Sequence, residues 1–165
     1  MIVFGGDGED RIDPKMVETI WPGYDDGYDG YGTIGDFDDV PDNPEQSYGS
    51  WWWTSAVLLN DNMIMACGGG YPATNKCFGL DLVSGSWTSL TPMTFARTEG
   101  HTLLKLNNGI IDVMVLGGGI DDLIEIYNSD FDFWTPMPQW NGPFDSGLSR
   151  HCAVAIDDHR VMVLQ

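Results

Sequence analysis

Positive charge is scarce in this chain: 7 Lys plus Arg stand against 25 Asp plus Glu in 165 residues, a formal net charge of −18. So acidic a surface repels a phosphate backbone or an anionic bilayer at moderate salt, and nucleic acid is set aside as a partner. Long apolar runs are missing too. No stretch approaches the roughly 20 apolar residues that cross a bilayer as a helix, so membrane insertion is not expected. The start, Met1-Ile2-Val3-Phe4-Gly5-Gly6, has neither the basic opening nor the apolar length of a signal peptide. Sustained helical periodicity is absent. Cysteine is sparse: Cys67, Cys77 and Cys152 show no close-set pair of the kind a zinc site uses. Two readings of them stay open. Either all three are reduced and mostly buried, or Cys67 and Cys77 form a disulfide across an expected hairpin, which implies an oxidising compartment. Extracellular or cytoplasmic location depends on which holds. Neither a Gly-x-Ser-x-Gly elbow nor a helix-opening glycine loop for phosphate occurs, and neither catalytic residues nor a cofactor are expected.

What the chain does contain is glycine, 21 of them, with 9 prolines, 7 tryptophans and many β-branched residues. That mixture belongs to short strands joined by tight turns, and the expected class is all-β. A hydrophobic fraction of 42% is enough for a packed core.

The glycines recur in a phrase. Gly68-Gly69 … Trp87 … Arg97 … His101 is followed by Gly117-Gly118 … Trp134 … Arg150-His151, and Gly5-Gly6 opens an earlier version. Gly68 to Gly117 is 49 residues, Trp87 to Trp134 is 47 and His101 to His151 is 50. A period near 50 built from short strands points to a propeller of four-stranded blades. Four strands, A to D, are expected in each repeat. Strand A covers 54–59, 102–106 and 152–156, and strand B 63–67, 113–116 and 161–164. Strand C covers 77–81 and 123–128, and strand D begins at Trp87 and Trp134. Asn- and Asp-rich turns at 60–62, 107–109 and 157–159 make A and B a hairpin. The near-continuous apolar character of strand B suits a strand covered on both faces. The glycines after it suit unusual backbone angles or close contacts.

The repeats divide as 1–59, 60–106 and 107–156, with a fourth beginning at 157–165. The first is stretched. Residues 17–22 are expected as its strand C and 37–41 as its strand D, with the acidic stretch 23–36 as a long C–D loop. That loop, with Asp38, Asp39 and Asp42, offers hard oxygen ligands, but Asp25-Asp26-Gly27-Tyr28-Asp29-Gly30 lacks the alternation of a calcium loop. It is read as solvated, with no metal.

These residues resemble the kelch repeat, with its glycine pair after strand B, a tyrosine in strand C and a spaced tryptophan in strand D. Gly68, Gly69, Trp87 and Arg97 carry the resemblance in one repeat, and Gly117, Gly118, Tyr127, Trp134 and Arg150 in the next. The first repeat keeps Gly5 and Gly6 but has Phe37 where the tryptophan falls and Trp53 where the histidine falls. The resemblance implies a β-propeller, here incomplete: two full four-stranded antiparallel blades and two partial ones. Roughly four or more blades close a ring, so further blades or copies of the chain, meeting at exposed strand edges, are expected partners.

Strand direction alternates within a blade, so B–C and D–A loops share one end and A–B and C–D turns the other. Kelch propellers commonly bind proteins around the former end, which implies a non-catalytic protein-interaction module. Trp51, Tyr71, Trp140 and Phe144 are the aromatic contact candidates there. Arg97 and Arg150 are candidate carboxylate contacts, although their recurrence also fits hydrogen bonds to their own loops. His101 and His151 are read as structural. The alternative is a propeller fragment of a secreted carbohydrate-binding protein or a copper-radical, galactose-oxidase-like enzyme.

Overall fold

The computed structural model describes the backbone of three short N-terminal strands together with residues 54–70, 72–98, 100–106, 111–118, 124–138 and 151–164. Every element in these residues is a strand, no helix occurs among them, and all pairing between strands is antiparallel. The fold is all-β.

The N-terminal sheet joins β1 (Ile2–Phe4), β2 (Val17–Ile20) and β3 (Ile34–Asp36) in that order. Its third strand lies inside the stretch read from sequence as a C–D loop. The register Glu18↔Asp36, Thr19↔Gly35 and Ile20↔Ile34 places it there, and residues 37–41 fall outside the described residues. The second sheet is β4 (Ser55–Asn60), β5 (Met63–Cys67), β6 (Cys77–Asp81) and β7 (Trp87–Leu90). The third is β8 (Thr102–Lys105), β9 (Val113–Leu116), β10 (Glu125–Asn128) and β11 (Phe133–Pro136). A hairpin of β12 (Cys152–Asp157) and β13 (Arg160–Leu164) follows. Each four-stranded sheet is thus a meander A-B-C-D in chain order. Their first strands are neighbours, β8 lying between β4 and β12.

The turns repeat one device. Asn60 Oδ1 accepts the amide of Asn62 at 3.0 Å, and Asp157 Oδ1 accepts that of His159 at 3.0 Å. Both side chains cap their own turn, as Asn and Asp do where the chain reverses. Each turn follows a register shift, at Leu58/Asn60 and Ala155/Asp157. Asp81 closes the β6–β7 turn similarly, accepting the amides of Val83 and Ser84 at 2.9 and 2.7 Å, bonds that hold its carboxyl below the usual range.

The two four-stranded sheets share a core of Met65, Cys67, Cys77, Met93, Leu103, Val113, Val115, Tyr127 and Trp134. Each large apolar side chain there contributes about 1.5–3 kcal/mol by leaving water. Alternation decides the faces. Val113, Val115 and Tyr127 point to the second sheet, whereas Met114, Leu116 and Ile124 point to the β12–β13 hairpin. Strands β5 and β9 are covered on both faces, as their continuous apolar sequences lead one to expect. Strand β13, equally apolar, is covered on one face only: Val161 and Val163 pack on the third sheet while Met162 and Leu164 are exposed.

Candidate functional site

The segment 91–101, between β7 and β8, binds the two four-stranded sheets together. Its polar groups reach both. Met93 N donates to Asn75 O at 2.9 Å, Asn75 Nδ2 returns a bond to Met93 O at 2.8 Å, and Arg97 N donates to Thr74 O at 3.0 Å. These bonds tie it to the β5–β6 loop of the sheet it leaves. Toward the sheet it enters, Thr98 N donates to Gly118 O at 3.0 Å, and the amides of Thr94 and Phe95 donate to the Glu125 carboxylate at 2.7 and 3.2 Å. The B–C and D–A loops therefore meet at one end. At the other end Leu82 N donates to Asn62 O, joining the A–B turn to the C–D turn.

Arg97 is the centre of this junction and is 1% exposed. Its Nη2 lies 3.0 Å from Glu125 Oε1, a carboxylate with no exposed surface, and its Nη1 donates to the carbonyl of Gly117. Burial pushes the guanidinium's pKa down from its usual value, and the hydrogen bond and charge of Glu125 oppose that shift. The pair repays its desolvation only through this density of bonds. With its guanidinium turned inward, Arg97 offers no surface fork to an external carboxylate.

His101 fills the space between the glycine pairs. Its Nε2 is 2.8 Å from Cys67 O and its Nδ1 2.7 Å from Thr98 O. A Cβ on Gly68 would come within 2.8 Å of the ring, and one on Gly118 within 2.5 Å of His101 Cβ and 2.9 Å of its backbone nitrogen. Both glycines also have left-handed backbone, φ +69° and +71°. Glycine is required here twice over, by angle and by space. Two carbonyls facing both ring nitrogens invite an imidazolium, yet burial, with the positive charges of Arg97 and His151, outweighs them and lowers the pKa.

Beneath His101, Cys67 and Cys77 are paired in register and their sulfurs are bonded, 2.08 Å apart. Gly68 N donates to Lys76 O, which makes Cys67 and Cys77 the closely spaced, non-hydrogen-bonded kind of pair. Cys152 is a free, exposed thiol. On the outer side of the junction, Trp134 Nε1 donates to Thr91 O at 3.0 Å, and Tyr127 Oη donates to Asp132 Oδ1 at 2.8 Å. Asp132 has φ 49°, a left-handed turn position, and also accepts the Thr91 amide. Burial and the Asp132 carboxylate raise the Tyr127 phenol well above its usual pKa.

Trp87, the strand-D tryptophan of the second sheet, packs beside Ala66 and Phe78 on the face turned away from this junction. Trp51, Tyr71, Trp140, Phe144 and Arg150 lie outside the described residues, as do Gly5 and Gly6 and the side chains of the acidic stretch 23–36. Among the described residues no group of three or more His, Cys, Asp or Glu is placed to hold a metal ion. No protein-family model matches the chain, and no curated protein sequence matches it.

Glu125 and Asp132 escape a reading of the sequence. Glu125 leaves one trace, since it alternates with Tyr127 on the buried face of β10, where an acid demands a partner. Asp132 leaves none, being one acid among many in a polar turn.

Proposed function

We propose that this chain is part of a kelch-type β-propeller and serves as a non-catalytic protein-interaction module, binding through the end where the B–C and D–A loops meet. The supporting observation is the hydrogen-bonded union of the 68–76 loop with the 91–101 segment. A loop platform held by backbone bonds to two sheets loses little freedom on binding, which favours affinity. Arg97 and Glu125 act in this reading as the internal brace of the platform, and the aromatic candidates Tyr71, Trp140 and Phe144 as its contacts.

Photo-crosslinking residues placed at Tyr71 and Trp140, with a control at Phe131 in the opposite turns, test it in cells that express the protein. Adducts with one defined protein from the first two positions and none from the third are expected. Adducts only from Phe131, or none at all, overturn the reading.

The disulfide favours a second reading, a propeller domain of a secreted carbohydrate-binding protein or copper-radical oxidase, because such bonds persist in oxidising compartments. Counting thiols on the denatured protein without reductant separates a cytoplasmic from a secreted setting. One free thiol, Cys152, supports the second reading, and three remove its basis.

A further inference from the structure

The turn between β10 and β11 carries an aromatic pair that the turn itself does not need. Phe131 is 74% exposed and Phe133 46%, with ring centroids 6.2 Å apart and planes tilted by 47°. The β6–β7 turn shows what these positions require. Asn128 and Phe133 are partners in the third sheet, as Asp81 and Ser86 are in the second, where Asp81 N donates to Ser86 O, and each turn holds four residues between its partners. Phe131 thus corresponds to Ser84 and Asp132 to Gly85. The last two share left-handed backbone, φ 49° and 67°. The second sheet therefore closes the same turn with Ser84 and Ser86, and both are exposed although the third sheet packs beside it. Openness belongs to these positions even where a neighbouring sheet is in place, and only the third sheet fills them with rings.

The rings stand on a fixed base. Phe131 N donates to Asn128 Oδ1 at 3.1 Å, Ser129 N donates to Asp112 Oδ2 at 2.6 Å, and Asp132 Oδ1 accepts from both Thr91 N and Tyr127 Oη. A partner meets two large apolar faces that lose little freedom on binding. Charge selects the partner. Asp130 and Asp132 flank Phe131 and are exposed, and from Leu106 to Ser149 the sequence has seven acids and no Lys, Arg or His. Arginine answers both features, because its guanidinium stacks on an aromatic face while its fork meets a carboxylate. We propose that Phe131 and Phe133, with the Asp130 carboxylate, form a docking site at the turn end for an arginine-containing basic segment of a partner protein. This is a second contact surface, separate from the loop end. The site needs the Phe131 ring itself, so a crosslinking residue in its place removes the contact and remains a control for Tyr71 and Trp140.

The probe is a labelled peptide of alternating arginine and leucine, titrated by fluorescence anisotropy into the full chain, with a control peptide in which citrulline replaces arginine. Saturable binding of the arginine peptide alone is expected, weakening as salt rises. A chain of charge −18 attracts any cation, so the deciding variant is Phe131→Ser/Phe133→Ser, which keeps every charge and adopts the residues of the β6–β7 turn. It should bind at least about tenfold more weakly with unchanged circular dichroism, and Asp130→Asn should weaken binding as well. In the wild type, hydrogen exchange across residues 129–133 should slow when the peptide binds. The absence of saturable binding, equal affinity of the double-serine variant or of the citrulline peptide, or slowed exchange only outside that turn overturns the proposal. So does a dimer, seen by light scattering, that the double-serine change abolishes and the peptide does not, since a second copy then covers the rings. None of these outcomes bears on the adducts expected at Tyr71 and Trp140.

Discussion

Arg97 shows how a residue's role follows from its surroundings. A guanidinium held at 1% exposure against a carboxylate 28 positions later is a fastening, and its removal leaves a bare buried charge. Arg97→Met should therefore cost about 3–5 kcal/mol in urea unfolding. Adding Glu125→Gln should recover part of the loss, because the amide oxygen still accepts from Thr94 or Phe95 without carrying a charge. Equal urea midpoints for the single and double variants would show that the charge of Glu125 is not what Arg97 neutralises. The recurrence of Arg in the repeat is legible in the sequence, but its partner is not. Ion pairing across 28 residues depends on how two sheets lie together, which no local pattern encodes.

At the scale of elements, two devices hold the first junction. The disulfide links β5 to β6 across 10 residues, and closing so short a loop restricts the unfolded chain by roughly 2–3 kcal/mol. Reduction should lower the unfolding free energy by about that amount, and a Cys67→Ser/Cys77→Ser variant should be insensitive to reductant. An unchanged urea midpoint on reduction would refute this. His101, between Gly68 and Gly118, gives the junction a pH dependence. Its folded pKa is depressed by burial below the ordinary 6.5, so near and below that pH the unfolded chain binds the extra proton. Stability from this site is complete above pH 6.5 and is lost as the pH falls through the folded value. The slope is at most about 1.4 kcal/mol per pH unit. Urea midpoints measured from pH 7.5 down to pH 5 should fall, and His101→Gln should flatten the dependence. A wild-type midpoint that holds or rises on acidification would mean that the two carbonyls favour the imidazolium after all. The strand bounds were nearly all legible, since period-two alternation and Asx turns act over a few residues. The β3 strand was not, because the glycine-rich acidic stretch in which it lies carries no apolar alternation.

For the molecule as a whole, stability should be graded along the chain. Among the described residues, strands β5 and β9 are central and covered on both faces, whereas β13 pairs with β12 alone and exposes Met162 and Leu164. Native-state hydrogen exchange should be slowest in Met63–Cys67 and Val113–Leu116 and clearly faster in Arg160–Leu164. Uniform protection of the three would mean that β13 is covered in solution. A formal charge of −18 opposes compaction, so added salt should raise the urea midpoint as well.

The sequence by itself determined the class, the four-strand period and the turn chemistry. Each rests on side-chain preferences that act between near neighbours: alternation along a strand, carboxamide caps in a turn, glycine where φ is positive. Only the tertiary structure decided that Arg97 faces inward to Glu125, that Gly68 and Gly118 leave room for His101, and that Tyr127 and Trp134 fill the core shared by the two four-stranded sheets. Those outcomes depend on which face of one sheet meets which face of the next. Residues 20 to 48 positions apart come together there, and volume, burial and charge settle what a repeated motif leaves undetermined.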